Sequence, residues 1–132
     1  MASIFLKILK GDIPCFKIAE DHKHFAFLDI NPLKPGHTLV IPKREEDYIF
    51  DLSDAELSDL FVFAKKVGIA IEKVVPCERI GLTVIGLEVP HTHIHLVPIN
   101  SISDMTFGKS RADLSMDEMD EIAKKISSAF LA

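Results

Sequence analysis

His91-Thr92-His93-Ile94-His95-Leu96-Val97 carries three histidines at every second position. Side chains alternate across a β-strand, so the three imidazoles are expected on one face and the residues between them on the other. The second set is mostly apolar, which predicts a strand over residues 89–99 packed on a core. Imidazoles are costly to bury without partners, so three on one face indicate a chemical site.

Two kinds of chemistry fit this pattern. Imidazoles two residues apart on a strand can hold one metal ion with a third ligand from elsewhere. Alternatively, one histidine attacks phosphorus while its neighbours set its tautomer, orientation and charge. A hydrolytic metal site would favour acidic ligands close by, and the nearest carboxylates along the chain are Glu88 and Asp104. The residues alone leave both alternatives open.

Segments on both sides of the histidines predict the rest of a sheet. Residues 24–30 are rich in aromatic and branched side chains, and residues 37–41 return after a turn at 31–36 that holds two prolines and a glycine. Residues 79–85 form a further strand candidate. Capping boxes starting at Ser53 and Ser115 predict a long helix between the strands and a second helix near the C-terminus. This order favours an α+β fold with an antiparallel sheet.

Composition excludes several classes of protein. The chain has 132 residues, which we predict to form one domain over 1–132. Its net charge of −5 argues against a nucleic acid polymer as partner. Its apolar runs are too short to span a membrane, and its start lacks the features of a signal peptide. Cys15 and Cys77 have no CxxC spacing. We therefore expect no disulfide framework, no membrane contact and a cytoplasmic location.

The histidine segment, followed by Pro98, resembles the motif of the histidine-triad (HIT) family of nucleotide hydrolases and transferases. Segments in the same order upstream add to the resemblance: residues 4–8, 11–14, 26–30 and 35–43. The resemblance covers residues 3 to about 100. It implies an α+β fold with an antiparallel sheet of five to six strands, one long inserted helix and a C-terminal helix. It also implies a homodimer that joins two sheets.

The resemblance implies cleavage of a P–N or P–O bond at the α-phosphate of a purine nucleotide derivative, with adenosine phosphoramidate preferred and a dinucleoside polyphosphate as the alternative. His93 corresponds to the nucleophile that forms a covalent nucleotidyl intermediate, and no metal or other cofactor takes part. His91 and His95 correspond to the flanking members, and His37 to a supporting histidine on the neighbouring strand. We expect a neutral nucleophile beside a protonated neighbour.

Further positions correspond to a nucleoside pocket. Asp29 matches the carboxylate that accepts hydrogen bonds from ribose hydroxyls. The base pocket would be lined by apolar residues, namely Ile4, Phe5, Phe27, Ile30 and Leu39.

The loop before the histidines departs from the family pattern. Leu87 replaces the usual glutamine, the usual asparagine is missing and the loop is shorter, while Glu88 has no assigned role. Positions that hold structural zinc in some members are Ser3, Leu6 and Glu45 here, so we expect no zinc. The missing glutamine and asparagine keep one alternative of another class open, a catalytically weak nucleotide-binding protein. The histidine pattern keeps a second one, a metal-dependent hydrolase.

Overall fold

A five-stranded antiparallel sheet lies at the centre of the computed structural model, which describes residues 3–108 and 110–130. The strands are β1 (Lys17–Glu20), β2 (His24–Leu28), β3 (Thr38–Pro42), β4 (Arg79–Thr83) and β5 (Ile94–Ile99). Their order across the sheet is β1-β2-β3-β5-β4. The α+β class and the antiparallel sheet are therefore confirmed. The extreme ends of the predicted domain lie outside the described residues.

Three α-helices in the described part of the chain accompany the sheet: α1 (Ile4–Leu9), α2 (Asp54–Val74) and α3 (Met116–Ala129). Both predicted capping boxes form, since Ser53 and Glu56 bond each other's main-chain N–H groups, as do Ser115 and Glu118. These bonds satisfy N–H groups that have no partner within the helix. The long inserted helix and the C-terminal helix are confirmed. Within the described residues, no helix has the length and apolar character of a membrane span.

The predicted start of the last strand is wrong, and one strand was not predicted. The last strand starts at Ile94 rather than at residue 89, because the main-chain N–H of His91 bonds to the oxygen of Val89 and that of Thr92 to the oxygen of Glu46. The chain therefore approaches the sheet without joining its ladder, and only the last of the three histidines lies in β5. Strand β1 was not among the predicted strands.

The two faces of the sheet are covered differently. Helices α2 and α3 pack on one face, where Leu60, Val67 and Ile71 join Val40 and Ile94 in the main core. The opposite face carries a smaller apolar cluster in which Phe5 of α1 packs with alternate strand residues: Phe25, Phe27, Leu39 and Ile41. Since His95 is the register partner of Leu39, its side chain lies on this second face. The fold thus places the histidines on the side of α1.

Candidate active site

A cavity of about 230 Å³ lies between α1, the sheet and the histidine segment. It brings together every residue predicted to bind the nucleoside, together with two of the predicted catalytic histidines: Ile4, Phe5, Phe27, Asp29, Ile30, Leu39, His93 and His95. Most of its wall is apolar, and its polar groups gather at one end. The residues that the resemblance implies for the nucleoside pocket therefore line one cavity.

His37 and His95 form a buried hydrogen-bonded pair. The main-chain N–H of Leu33 donates to Nδ1 of His37 at 3.0 Å, so a neutral His37 carries its proton on Nε2. That Nε2 lies 3.0 Å from Nδ1 of His95 and donates to it. The neutral His95 then carries its proton on Nε2. The backbone of the turn before β3 thus determines which nitrogen of His95 can donate into the cavity.

His93 is fixed in the opposite tautomer. Its Nδ1 lies 2.8 Å from the carbonyl oxygen of His91, which can only accept, so Nδ1 carries the proton. Its Nε2 keeps a free lone pair. The ring of Phe5 packs edge-on against His93, with centroids 5.0 Å apart, and limits its rotation. The geometry gives His93 an unprotonated nitrogen in a defined orientation.

His91 lies outside the cavity. Its side chain is fully buried, with Nε2 donating to the carbonyl oxygen of Pro42 at 2.8 Å and Nδ1 lying 3.4 Å from Oγ of Ser3. These bonds join the histidine segment to the end of β3 and to the start of α1. The main-chain oxygen of His91 accepts from Nδ1 of His93, while its imidazole lies against Pro42 and Ser3.

Asp29 follows β2 at the polar end of the cavity. Its Oδ1 accepts from the main-chain N–H of Asn31 at 2.8 Å, and its Oδ2 lies 3.6 Å from Nε2 of His37. Burial raises the pKa of this carboxyl above its usual value, while the bond from Asn31 and the charge of Arg111 act to lower it. A carboxylate anchored on one oxygen leaves the other able to accept from hydroxyl groups in the cavity.

The family model described as HIT domain matches residues 10–102, about 70% of the chain. The chain belongs to the HIT family. The adenosine 5′-monophosphoramidase of Schizosaccharomyces pombe is 38% identical over 131 residues, covering 97% of this chain and 98% of that protein. The asymmetrical bis(5′-nucleosyl)-tetraphosphatase of the same yeast is 34% identical over 111 residues, covering 80% of this chain and 58% of that protein.

A solved structure supports the same assignment. The HIT-like protein involved in cell-cycle regulation from Bartonella henselae superposes with a TM-score of 0.83 at 28% identity, covering 97% of this chain and 96% of that one. The HIT architecture thus extends beyond the matched domain, into α1 and α3.

Burial lowers the pKa of three histidines of this HIT protein: His37, His93 and His95. Desolvation lowers the pKa of His37 to about 3 and that of His95 to about 4, with smaller contributions from neighbouring positive charges. The pKa of His93 is also lowered by burial, although its bond to the oxygen of His91 opposes this. The expectation of a protonated neighbour is therefore wrong for His37 and His95. His95 offers a neutral N–H donor instead.

The metal alternative has a specific location in this HIT protein. One atom each of Asp29, His37 and His95 lies within 4.8 Å of the others. The facing nitrogens of the two histidines already share a proton, as their 3.0 Å separation and the bond from Leu33 require. A cation bound between them would have to displace that proton, which makes metal binding there pH-dependent.

Two residues that sequence reasoning missed complete the site. Phe107 packs edge-on against His95, with centroids 4.8 Å apart, and Arg111 donates from Nη1 to the main-chain oxygen of Asn31 at 2.9 Å. Both line a second cavity of about 180 Å³ that adjoins the first at His93 and His95. Glu88, which is exposed, lines both cavities. No spacing pattern links Arg111 to the histidines, because tertiary contacts alone bring it there.

Proposed function

We propose that the protein hydrolyses the P–N or P–O bond at the α-phosphate of purine nucleotide derivatives, with adenosine phosphoramidates as the preferred class. The observation that carries this proposal is the fixed tautomer of His93, which leaves Nε2 unprotonated in a residue that lines the same cavity as Asp29. A neutral imidazole with a free lone pair is a competent nucleophile near pH 7. The nucleoside would lie along the apolar wall formed with α1.

The proposed reaction has two steps. Nε2 of His93 forms a bond to the α-phosphorus as the P–N bond breaks, and the leaving amine keeps that electron pair and takes up a proton. Water then attacks phosphorus, the bond to Nε2 breaks and its electron pair returns to His93, while the water gives up one proton. The Nε2–H of His95 donates to a phosphoryl oxygen in both steps and stabilises its growing negative charge.

Hydrolysis of dinucleoside polyphosphates is the second candidate within the same chemistry. It is favoured by the 34% identity to the bis(5′-nucleosyl)-tetraphosphatase of the fission yeast. The preference for phosphoramidates follows the higher identity and nearly complete coverage of the adenosine 5′-monophosphoramidase. Both substrates place an α-phosphorus against the same nucleophile, so the two candidates differ only in the leaving group.

The test is turnover of adenosine 5′-phosphoramidate, followed by quenching in alkaline denaturant and mass spectrometry of the intact protein. We expect release of AMP and a transient mass increase of one adenylyl group. Absence of both turnover and adduct on any purine substrate would leave a nucleotide-binding protein without this activity. Turnover that a chelator abolishes, with stoichiometric metal in the purified protein, would instead support the metal-dependent alternative.

Asp29→Asn tests the ribose contact. A hydrogen bond to a charged acceptor contributes roughly 10- to 100-fold in affinity, so we expect kcat/KM for the ribonucleotide to fall by about that factor. A 2′,3′-dideoxyadenosine phosphoramidate lacks both hydroxyls, and its kcat/KM should respond far less to the substitution. Asp12→Asn, at an exposed carboxylate, is the control. An unchanged preference for the ribonucleotide in Asp29→Asn would exclude this contact.

The homodimer is proposed to form through the edge strand β4. Among the described residues, strand β4 has a sheet neighbour on one side only. Exposed apolar side chains lie on β4, just after it and on α2: Leu82, Ile85, Phe61, Val62 and Ile69. A second copy pairing β4 with β4 would satisfy the open main-chain groups and cover this apolar surface.

We also propose a cytoplasmic location. The proposal is based on Cys15 and Cys77, which are free thiols, because disulfides are rare in the cytosol.

Leu82→Lys tests the dimer. The charged side chain should oppose pairing of β4, so light scattering should give the mass of a dimer for the wild type and of a monomer for the variant. Met116→Lys replaces an apolar side chain that is 71% exposed near the start of α3 and should leave the dimer intact. A monomeric wild type would refute the dimer, and a dimeric Leu82→Lys would refute this interface.

A further inference from the structure

The second cavity has walls unlike those of the nucleoside cavity. It shares Asp29, Glu88, His93 and His95 with the first cavity but leads away from α1, between the loop of residues 85–88 and the segment around Phe107. A group bonded to the α-phosphorus and directed away from the nucleoside would enter this space. Its volume of about 180 Å³ is enough for a small leaving group.

Arg111 lines this cavity with a guanidinium group. Its Nη1 donates to the oxygen of Asn31 at 2.9 Å and its Nη2 to the oxygen of Phe107 at 3.4 Å, while the guanidinium lies 5.6 Å from the centroid of the Phe107 ring. Both hydrogen bonds go to main-chain carbonyls, so they orient the guanidinium without neutralising its charge. Three of its five N–H groups remain for a ligand.

The segment that carries Arg111 is held against the site. The main-chain N–H of Ala112 donates to the oxygen of Pro32 at 2.8 Å, in the same turn that contains Asn31. Phe107 packs on His95, as described above. Arg111 is held by its own hydrogen bonds, by its contact with the Phe107 ring and by the main chain of Ala112. Its side chain therefore loses little further conformational entropy when it binds a ligand.

The loop of residues 85–88, before the histidines, has few hydrogen-bond donors for a leaving group. Its side chains at positions 85 and 87 are apolar, and position 87 holds the leucine that stands in place of the expected glutamine. Donors to a leaving group from this loop's side chains are therefore lacking, and Arg111 reaches the same cavity from the opposite wall. Glu88 and Asp29 both carry opposing charges in this cavity. Glu88 is exposed to solvent, which screens its charge, and Asp29 accepts a hydrogen bond from the main-chain N–H of Asn31.

We propose that this second cavity is the leaving-group site and that Arg111 binds an anionic oxygen group, a carboxylate or a phosphate, on the leaving group. This rests on the proposed function, because it takes the α-phosphorus to lie at His93. The preferred substrates are then nucleotide conjugates whose leaving group carries a negative charge, such as an amino acid joined through its nitrogen. Arg111 is a specificity-determining residue in this arrangement.

The test measures binding in a His93→Ala background, where the conjugates are not consumed. Calorimetry compares adenosine 5′-phosphoramidates N-linked to glycine and to glycinamide, which differ in one negative charge. We expect the glycine conjugate to bind about tenfold or more tightly, and Arg111→Gln to remove that preference. Arg111→Lys should restore part of it. Arg44→Gln, at an exposed arginine that pairs with Glu56, should leave the ratio unchanged.

A second arm replaces the glycine conjugate with ADP, whose leaving group is inorganic phosphate. If Arg111→Gln lowers the affinity for ADP, the site binds a phosphate. If it lowers the affinity for the glycine conjugate, the site binds a carboxylate. If Arg111→Gln changes neither the glycine-to-glycinamide ratio nor the affinity for ADP, the proposal is wrong. Turnover of unsubstituted adenosine 5′-phosphoramidate by the wild type tests the proposed function separately, so the two failures are distinguishable.

Discussion

His93→Ala is expected to lower kcat/KM for adenosine 5′-phosphoramidate by about four orders of magnitude or more and to abolish the nucleotidyl adduct. Removal of a covalent nucleophile typically costs this much, because the remaining groups bind substrate without opening the two-step route. Burial lowers the pKa of His93 below its usual value, so the wild type already has the unprotonated form at pH 7. The loss should therefore appear across the neutral range rather than at one pH.

His22→Ala is the matched control, because its imidazole is exposed and lies outside both cavities. It should retain wild-type activity. Circular dichroism and binding of AMP would establish that His93→Ala is folded with an intact pocket. An adduct that persists in His93→Ala would mean that another residue is the nucleophile, and activity within tenfold of wild type would argue against a covalent route through His93.

The sheet and the helices were predictable because each depends on local patterns. Capping boxes at Ser53 and Ser115 fix where α2 and α3 begin. Aromatic and branched residues, bounded by turn residues, identify most strands. Strand β1 is only four residues long and has no strong pattern. The start of β5 was misplaced because alternation in sequence does not reveal hydrogen bonding. The N–H of Thr92 bonds to Glu46, a partner 46 residues away along the chain.

The roles of the histidines were only partly predictable. The family resemblance distinguishes His93 from its neighbours, whereas alternation along a strand places all three imidazoles on one face. His91 is buried in contacts with Pro42 and Ser3, which depend on how β3 and α1 close over the segment. The neutral state of His37 and His95 follows from burial, which is a property of the whole fold. Arg111 was not predicted, because its position beside the histidines also depends on the whole fold.

Acidification is expected to destabilise the protein through the pair His37 and His95. The pKa values of the two imidazoles, about 3 and about 4, lie below the value of about 6.5 expected in the unfolded chain. At pH values between the folded and the unfolded pKa, the unfolded state binds protons that the folded state does not. The free energy of unfolding therefore falls as pH falls. From pH 7 to pH 5 we expect each histidine to contribute a loss of about 2 kcal/mol.

Urea unfolding at pH 7 and pH 5, followed by circular dichroism, measures this loss within one variant. His37→Gln removes one of the two imidazoles, so its loss between the two pH values should be smaller than that of the wild type by about 2 kcal/mol. Because each variant is compared with itself, a lower stability of His37→Gln at pH 7 does not affect the result. The exposed control His22→Gln should keep the wild-type loss. If His37→Gln and the wild type lose the same free energy of unfolding between pH 7 and pH 5, the buried pair takes up protons freely while folded. The tautomers assigned to His37 and His95 would then not hold below neutral pH.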